Sequence, residues 1–109
     1  MPSAFKQLFA AAPAATTLTT LYTAPAGTQV IMSTLGLCNR SATPTTVRLS
    51  HAAAGAADAV AQYFMYDVPL AANQAVMITV GVCLSPTDVL RAYVGAATVS
   101  LQGWGEERT

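Results

Sequence analysis

Short runs of alternating apolar and polar residues, separated by turn-forming residues, make up most of the chain after residue 17. Alternation with a period of two places every second side chain on the same face of a β-strand. The clearest example is Val76–Cys83, in which aliphatic residues occupy the even positions. The run Val30–Cys38 is almost continuously apolar instead, which predicts a central strand covered on both faces.

Turn-forming residues divide these runs into about seven predicted strands. Pro25 and Gly27 predict a tight reversal, because proline fixes φ at the second turn position and glycine accepts a positive φ. Pro86 and Asp88 predict another turn, in which the carboxylate caps backbone amides. The Ala/Gly-rich segment 51–61 predicts a surface loop, with one short helical turn as the alternative.

This pattern predicts an all-β fold: a single antiparallel β-sandwich, jelly-roll or immunoglobulin-like, with an extended N-terminal arm. The predicted divisions are an arm and linker at 1–17, the sandwich at 18–105 and a charged tail at 106–109. In the arm, the apolar side chains are expected to insert into a neighbouring protein, while the Ala/Pro/Thr stretch acts as a linker. The docking residues are Phe5, Leu8 and Phe9.

Composition indicates that much of the surface faces another protein. Only 9% of the residues are charged and 53% are hydrophobic, whereas an ordinary soluble domain has about 25% charged residues. An isolated monomer with so few charges could not cover itself with a polar surface free of apolar patches. We therefore expect a homo-oligomer, a trimer or a larger assembly.

Charge distribution argues against nucleic acid and membrane partners. Five basic residues balance five acidic ones and are scattered along the chain, so the basic footprint that would neutralise phosphates or anionic lipids is missing from the sequence. No apolar stretch approaches the roughly 20 residues of a membrane-spanning helix.

The sequence offers little for catalysis, and we expect no enzyme activity, cofactor or metal site. The single histidine, His51, could meet Asp58, Asp67 or Asp88, but no nucleophile-elbow motif surrounds any serine. The simpler interpretation is a strand-end histidine with one hydrogen bond. Cys38 and Cys83 lack metal-ligand spacing and are interpreted as buried thiols, with a disulfide as the alternative.

Aromatic residues allow a second kind of site. On strands they are more often core and interface anchors, but exposed together they could stack against a sugar. Tyr63, Tyr66 and Trp104 are the candidates for contact with a ligand or partner. An exposed Trp104 would indicate docking, and a buried one would close the core.

Three segments resemble small structural proteins of tailed bacteriophages: Leu21–Thr28, Cys38–Thr43 and Tyr66–Asn73. The resemblance covers residues 18–104, is carried by turn-and-strand motifs, and is looser in 52–61. It implies that the chain is a β-sandwich protein of the virion and that it is made in the host cytoplasm. It carries over no catalytic residue.

The first functional hypothesis is therefore a non-enzymatic virion subunit that contacts itself and other virion proteins. Its partners would be tail, fibre or major capsid proteins, with the tail or fibre slightly favoured over capsid decoration. A neutral small β-domain would also suit a cement protein that stabilises the head. The hypothesis from another class is a module that binds a host-surface glycan or receptor.

Overall fold

The computed structural model describes residues 3–109, which form eight strands and two single turns of 3₁₀ helix. The predicted all-β fold is confirmed, with one strand more than the sequence indicated. No helix in this range is long and apolar enough to cross a membrane. The elements are β1 Ser3–Ala11, β2 Thr19–Thr23, β3 Gln29–Asn39, β4 Thr45–Ala52, β5 Tyr63–Leu70, β6 Ala75–Leu84, β7 Val89–Val94 and β8 Val99–Arg108, with the 3₁₀ turns at Ala53–Gly55 and Val60–Gln62.

The strands form two antiparallel sheets of four. Sheet 1 has the order β1-β8-β3-β6, and sheet 2 has the order β2-β7-β4-β5. Pairing is nested along the chain: β1 pairs with β8, β2 with β7, β3 with β6 and β4 with β5. Further ladders, β3 with β8 and β4 with β7, complete the two sheets.

One apolar core lies between the sheets in a sandwich-like arrangement. The alternation seen in the sequence directs every second side chain inward, and each fully buried aliphatic side chain contributes about 1.5–3 kcal/mol relative to exposure. The large side chains with almost no exposure are Val30, Met32, Leu35, Leu37, Val47, Leu49, Leu70, Leu84, Leu90, Val94, Val99 and Leu101.

The N-terminal segment differs from its predicted role. Residues 3–11 form β1, which pairs with β8 along its length, so these residues are part of sheet 1 and not an arm outside the sandwich. Leu8 and Phe9 are buried in the chain's own core and are not available to insert into a neighbour. Only Phe5 remains exposed, with 85% of its surface accessible. Residues 1 and 2 of the predicted arm lie outside the described residues.

The predicted turns occur where the sequence placed them. Gly27 has φ +74°, and the Thr28 amide donates to the Pro25 carbonyl at 3.1 Å. Residues 53–62 form the exposed connection between β4 and β5, as the loop interpretation predicts, and contain two 3₁₀ turns where the alternative had one helical turn. The first two residues of the predicted loop, His51 and Ala52, belong to β4 instead. The predicted central strand is β3, which lies between β8 and β6.

Candidate interaction surfaces on the two sheets

The outer face of sheet 1 carries exposed apolar side chains, with Glu106 and its ion-pair partner Arg108 at one end. Residues directly opposite on antiparallel strands share a face, and the ladders place Phe5, Glu106, Ile31 and Cys83 in one row across the four strands. The next rows bring Trp104 and Met77 onto the same face. We call this surface the Trp104 face and define it by Phe5, Ile31, Gly36, Met77 and Trp104.

Trp104 is the centre of this face. Its indole and the thioether of Met77 lie across Gly36: a Cβ at residue 36 would be 3.2 Å from Trp104 Cζ3 and 3.1 Å from Met77 Sδ. The side chain is half-buried against the outside of the sheet and does not enter the core between the sheets. Of the two outcomes set for Trp104, exposed or buried, it meets neither in full: the side chain is half-buried, but it lies outside the core between the sheets.

Shallow depressions flank the Trp104 indole. One, of about 260 Å³, lies between Trp104, Met77 and Cys38, and its lining is mostly apolar. The other, of about 330 Å³, lies between Trp104 and Phe5. Both depressions are open to solvent, and the indole lies between them. A protein surface with complementary apolar side chains fits such open depressions better than a small molecule, which binds in an enclosed pocket.

The outer face of sheet 2 carries a different cluster, formed by Arg48, Tyr63, Tyr66, Asp67 and Tyr93, which we call the Arg48 cluster. The Arg48 guanidinium carbon lies 4.2 Å from the centroid of the Tyr66 ring and 4.8 Å from that of Tyr93. Arg48 Nε and Nη2 donate to the two carboxylate oxygens of Asp67 at 2.7 and 3.3 Å. This hydrogen bonding raises the pKa of Arg48.

The structure brings two of the three aromatic candidates together. The rings of Tyr63 and Tyr66 meet edge to face, with centroids 5.3 Å apart. Trp104 lies on the outer face of the opposite sheet, so the three residues do not form one platform. Sequence reasoning missed Arg48 as the centre of the tyrosine cluster. The available signal was its polar position between Val47 and Leu49, which assigned it to the outer face.

His51 pairs with Asp88 where three segments meet. The Nε2 to Oδ2 distance is 2.7 Å, and the Asp88 carboxylate also accepts from the amides of Ala54 and Ser85. Burial by itself raises the pKa of Asp88, but these hydrogen bonds outweigh it, and the pKa lies below its usual value. Asp88 therefore caps its turn as the sequence predicted, and it also fixes the Ala53–Gly55 turn.

Glu107 connects the two sheets at one end of the sandwich. It lies on β8 and accepts hydrogen bonds from Tyr22 on β2 and from Lys6 on β1, the latter at 3.2 Å. The Tyr22 hydrogen bond lowers the pKa of Glu107 against the opposing effect of burial, and Lys6 lowers it further. Burial and Glu107 together raise the pKa of Tyr22. The predicted charged tail is therefore partly structural, because β8 extends to Arg108.

The two cysteines are free thiols. Cys83 is opposite Ile31 and Cys38 is opposite Ala75, so they lie at different ends of the β3–β6 ladder. Cys83 is exposed and Cys38 half-buried, and the buried-thiol interpretation is wrong for Cys83. Both face outward, because inward positions on these strands belong to the alternate residues. Within residues 3–109, no group of three or more His, Cys, Asp or Glu side chains is placed to hold a metal ion.

Comparison with known proteins found no matching family model, no similar curated protein and no similar solved structure.

Proposed function

We propose that this chain is a non-enzymatic, self-associating structural subunit of a bacteriophage virion, which docks on neighbouring virion proteins through the Trp104 face. The observation that carries the proposal is an exposed apolar sheet face on a chain with only 9% charged residues. Phe5 and Met77 are 85% and 66% exposed on this face. Exposed apolar patches rimmed by polar residues mark protein interaction sites.

The continuous apolar run of β3 gives independent support. The sequence predicts a strand covered on both faces. The inward residues, such as Leu35 and Leu37, are buried within the monomer, whereas on the outward side only Gly36 is buried, under Trp104 and Met77. On the outward side, Ile31 is exposed and Cys38 half-buried. A partner seated on sheet 1 would cover this second face and account for the pattern.

We also propose that the sandwich is a jelly roll. In a jelly roll an antiparallel ribbon, in which the first strand pairs with the last, wraps into two four-stranded sheets. The nested pairing of β1 with β8 through β4 with β5 has this form. Jelly rolls occur in viral capsid and lectin domains. The topology therefore supports the virion assignment by analogy of fold.

Position within the virion follows the resemblance of the turn motifs, which favours the tail or fibre apparatus over capsid decoration. Either position uses the same docking surface. On this proposal, the protein is made in the host cytoplasm and assembled into particles there, and its partners are further copies of itself and tail, fibre or major capsid proteins.

The experiment is to purify particles from a phage that carries the gene and to measure this chain by mass spectrometry, with immunogold labelling to locate it. We expect stoichiometric incorporation and labelling at the tail or fibre, while labelling over the head would select the decoration alternative. Absence of the chain from the particles would overturn the proposal.

Matched variants test the surface. Phe5→Lys adds a charge to the Trp104 face and should prevent incorporation. Val60→Lys changes an equally exposed apolar residue away from that face and should not. Deletion of residues 1–15, a natural test of an arm, is unsuitable because it would remove β1 from sheet 1.

The Arg48 cluster favours a second candidate, a module that binds a host-surface glycan. Tyr66 is 57% exposed and lies beside Tyr63, and exposed tyrosines with neighbouring charged groups can stack on a sugar and bond its hydroxyls. Tyr66→Ala should abolish binding on a glycan array, with Phe64→Ala, an exposed aromatic outside the stack, as control. If the wild-type chain binds no glycan, this candidate is eliminated.

A further inference from the structure

The two sheets have four edge strands, and β6 differs from the other three. Its ten residues contain no charge and no proline, and the whole segment 70–87 is uncharged. An edge strand presents a row of unpaired backbone N–H and C=O groups that another strand can pair with. Natural proteins usually block long edges with lysine, proline, bulges or short length.

The other edges carry such devices. β1 has Lys6 and a register shift between Gln7 and Phe9. β5 has Asp67 and Pro69, and its ladder with β4 shifts register twice. β2 is only five residues long and also contains a register shift. β6 also shifts register once, against β3 between Met32 and Thr34, so a bulge does not distinguish it from the other edges. What distinguishes β6 is that its ten residues carry no charge and no proline, which makes it the long uncharged edge that is open to pairing.

The inward side chains of β6 point to the same conclusion. Val76, Ile78, Val80 and Val82 face the core but are only partly buried, because no strand lies beyond β6 to cover them. Adding a strand at this edge would bury more of these aliphatic side chains and pair the free backbone groups. Main-chain hydrogen bonds would supply affinity, and the side chains would supply specificity.

We propose that β6 pairs antiparallel with β6 of a second copy of this chain, joining two copies of sheet 1 into one continuous eight-stranded sheet. The occupant is a second copy because an uncharged aliphatic strand matches another of the same kind without like-charge repulsion. The pairing would also join the two Trp104 faces, since Met77 lies on β6. This inference rests on the proposed function, because it takes the β6 edge to be the site at which a structural subunit associates with itself.

The alternation of inward and outward side chains limits the register of the β6–β6 pair. Opposite residues on antiparallel strands share a face, so an outward residue of one β6 must lie opposite an outward residue of the other. The two-fold axis must therefore pass through a pair of identical residues and not between two positions. The central choices are Thr79 and Val80. Centred on Thr79, the two Thr79 side chains are directly opposite; centred on Val80, they are diagonal neighbours, about 7–8 Å apart and within reach of long side chains. Charges introduced at residue 79 would therefore interact across the axis in either register.

The test is the native mass of the full chain by light scattering over a range of concentrations. We expect a dimer for the wild type. Thr79→Lys changes an exposed outward residue, should leave the fold intact by circular dichroism, and should raise the dissociation constant by at least about tenfold. Mixing Thr79→Lys with Thr79→Glu should restore a dimer. Thr20→Lys, at an exposed threonine on edge strand β2, is the matched control and should remain dimeric.

A wild-type monomer or trimer would overturn the β6 pairing, as would a Thr79→Lys variant that still dimerises. Failure of the mixture to restore the dimer would also overturn it. Particle incorporation separates this inference from the proposed function. If the chain is a monomer in solution but is found in particles, the β6 pairing is wrong and the virion assignment stands. If it is a dimer but is absent from particles, the virion assignment is wrong and the β6 pairing stands.

Discussion

Trp104 covers Gly36 on the outside of sheet 1, and the absence of a side chain at residue 36 lets the indole approach β3 closely. A Cβ at this position would be 3.2 Å from Trp104 Cζ3, closer than an ordinary van der Waals contact. Because the chain has one tryptophan, its fluorescence reports on this contact alone.

Gly36→Ala should displace the indole from β3. We expect a red shift of the tryptophan emission as the ring gains solvent contact, and a loss of about 1 kcal/mol in the free energy of unfolding from overpacking. Gly81→Ala is the control, because a Cβ at residue 81 meets no atom within 4 Å. An unchanged emission spectrum in Gly36→Ala would contradict the described position of Trp104.

Phe9→Ala tests whether β1 is an integral strand. Phe9 is buried and its ring occupies the space above Gly103, so truncation should cost about 3–5 kcal/mol of unfolding free energy. Phe5→Ala, at an exposed position of the same strand, should change the stability by less than about 0.5 kcal/mol. Urea denaturation measures both. Equal small effects would mean that residues 3–11 act as an arm after all.

Because of Asp88, the free energy of unfolding should fall as the solution becomes acidic. Its pKa is lowered in the folded chain, so its ionised form stabilises the fold at pH values above the unfolded pKa of about 4. That contribution is lost as the pH falls through the lower folded pKa. Asp88→Asn should lower the urea midpoint at pH 7 and flatten its decline between about pH 5 and 2.

The matched variant for this pH effect is Asp58→Asn, in the exposed connection between β4 and β5. It should leave the urea midpoint and its pH profile close to those of the wild type. Parallel profiles for Asp88→Asn and the wild type would show that Asp88 is not the group responsible.

Arg48→Lys should separate stacking from charge in the Arg48 cluster. Lysine keeps the charge but loses the planar fork that bonds Asp67 and lies between Tyr66 and Tyr93. We expect a loss in unfolding free energy that changes little with salt, because exposed ion pairs contribute little. A loss as large in Asp67→Asn would instead assign the stabilisation to the ion pair.

Local patterns in the sequence determined most strands and turns. Alternation predicts that the aliphatic residues at the even positions of Val76–Cys83 share one face, which packs against the core in β6, and Pro25 with Gly27 predicts a turn. These features depend on neighbouring residues alone, through backbone preference and a period of two. The low charge content also predicts that part of the surface faces another protein, and this stays a prediction.

Tertiary structure alone decided the role of β1. Its ladder with β8 shifts register between Gln7 and Phe9, which leaves the adjacent residues Leu8 and Phe9 both buried. Such a bulge interrupts the period of two, so the segment has no clear strand pattern and was interpreted as an arm. Its partner, β8, lies at the other end of the chain.

The sequence likewise could not show which of the candidate contact residues lie on the same surface. Tyr66 and Trp104 both occupy outward strand positions, but which sheet each strand joins depends on pairing between distant segments. The nested order places β5 in sheet 2 and β8 in sheet 1, so the two side chains point away from each other. Alternation reveals which residues share a face of one strand, whereas long-range backbone hydrogen bonds and core packing determine which strands share a sheet.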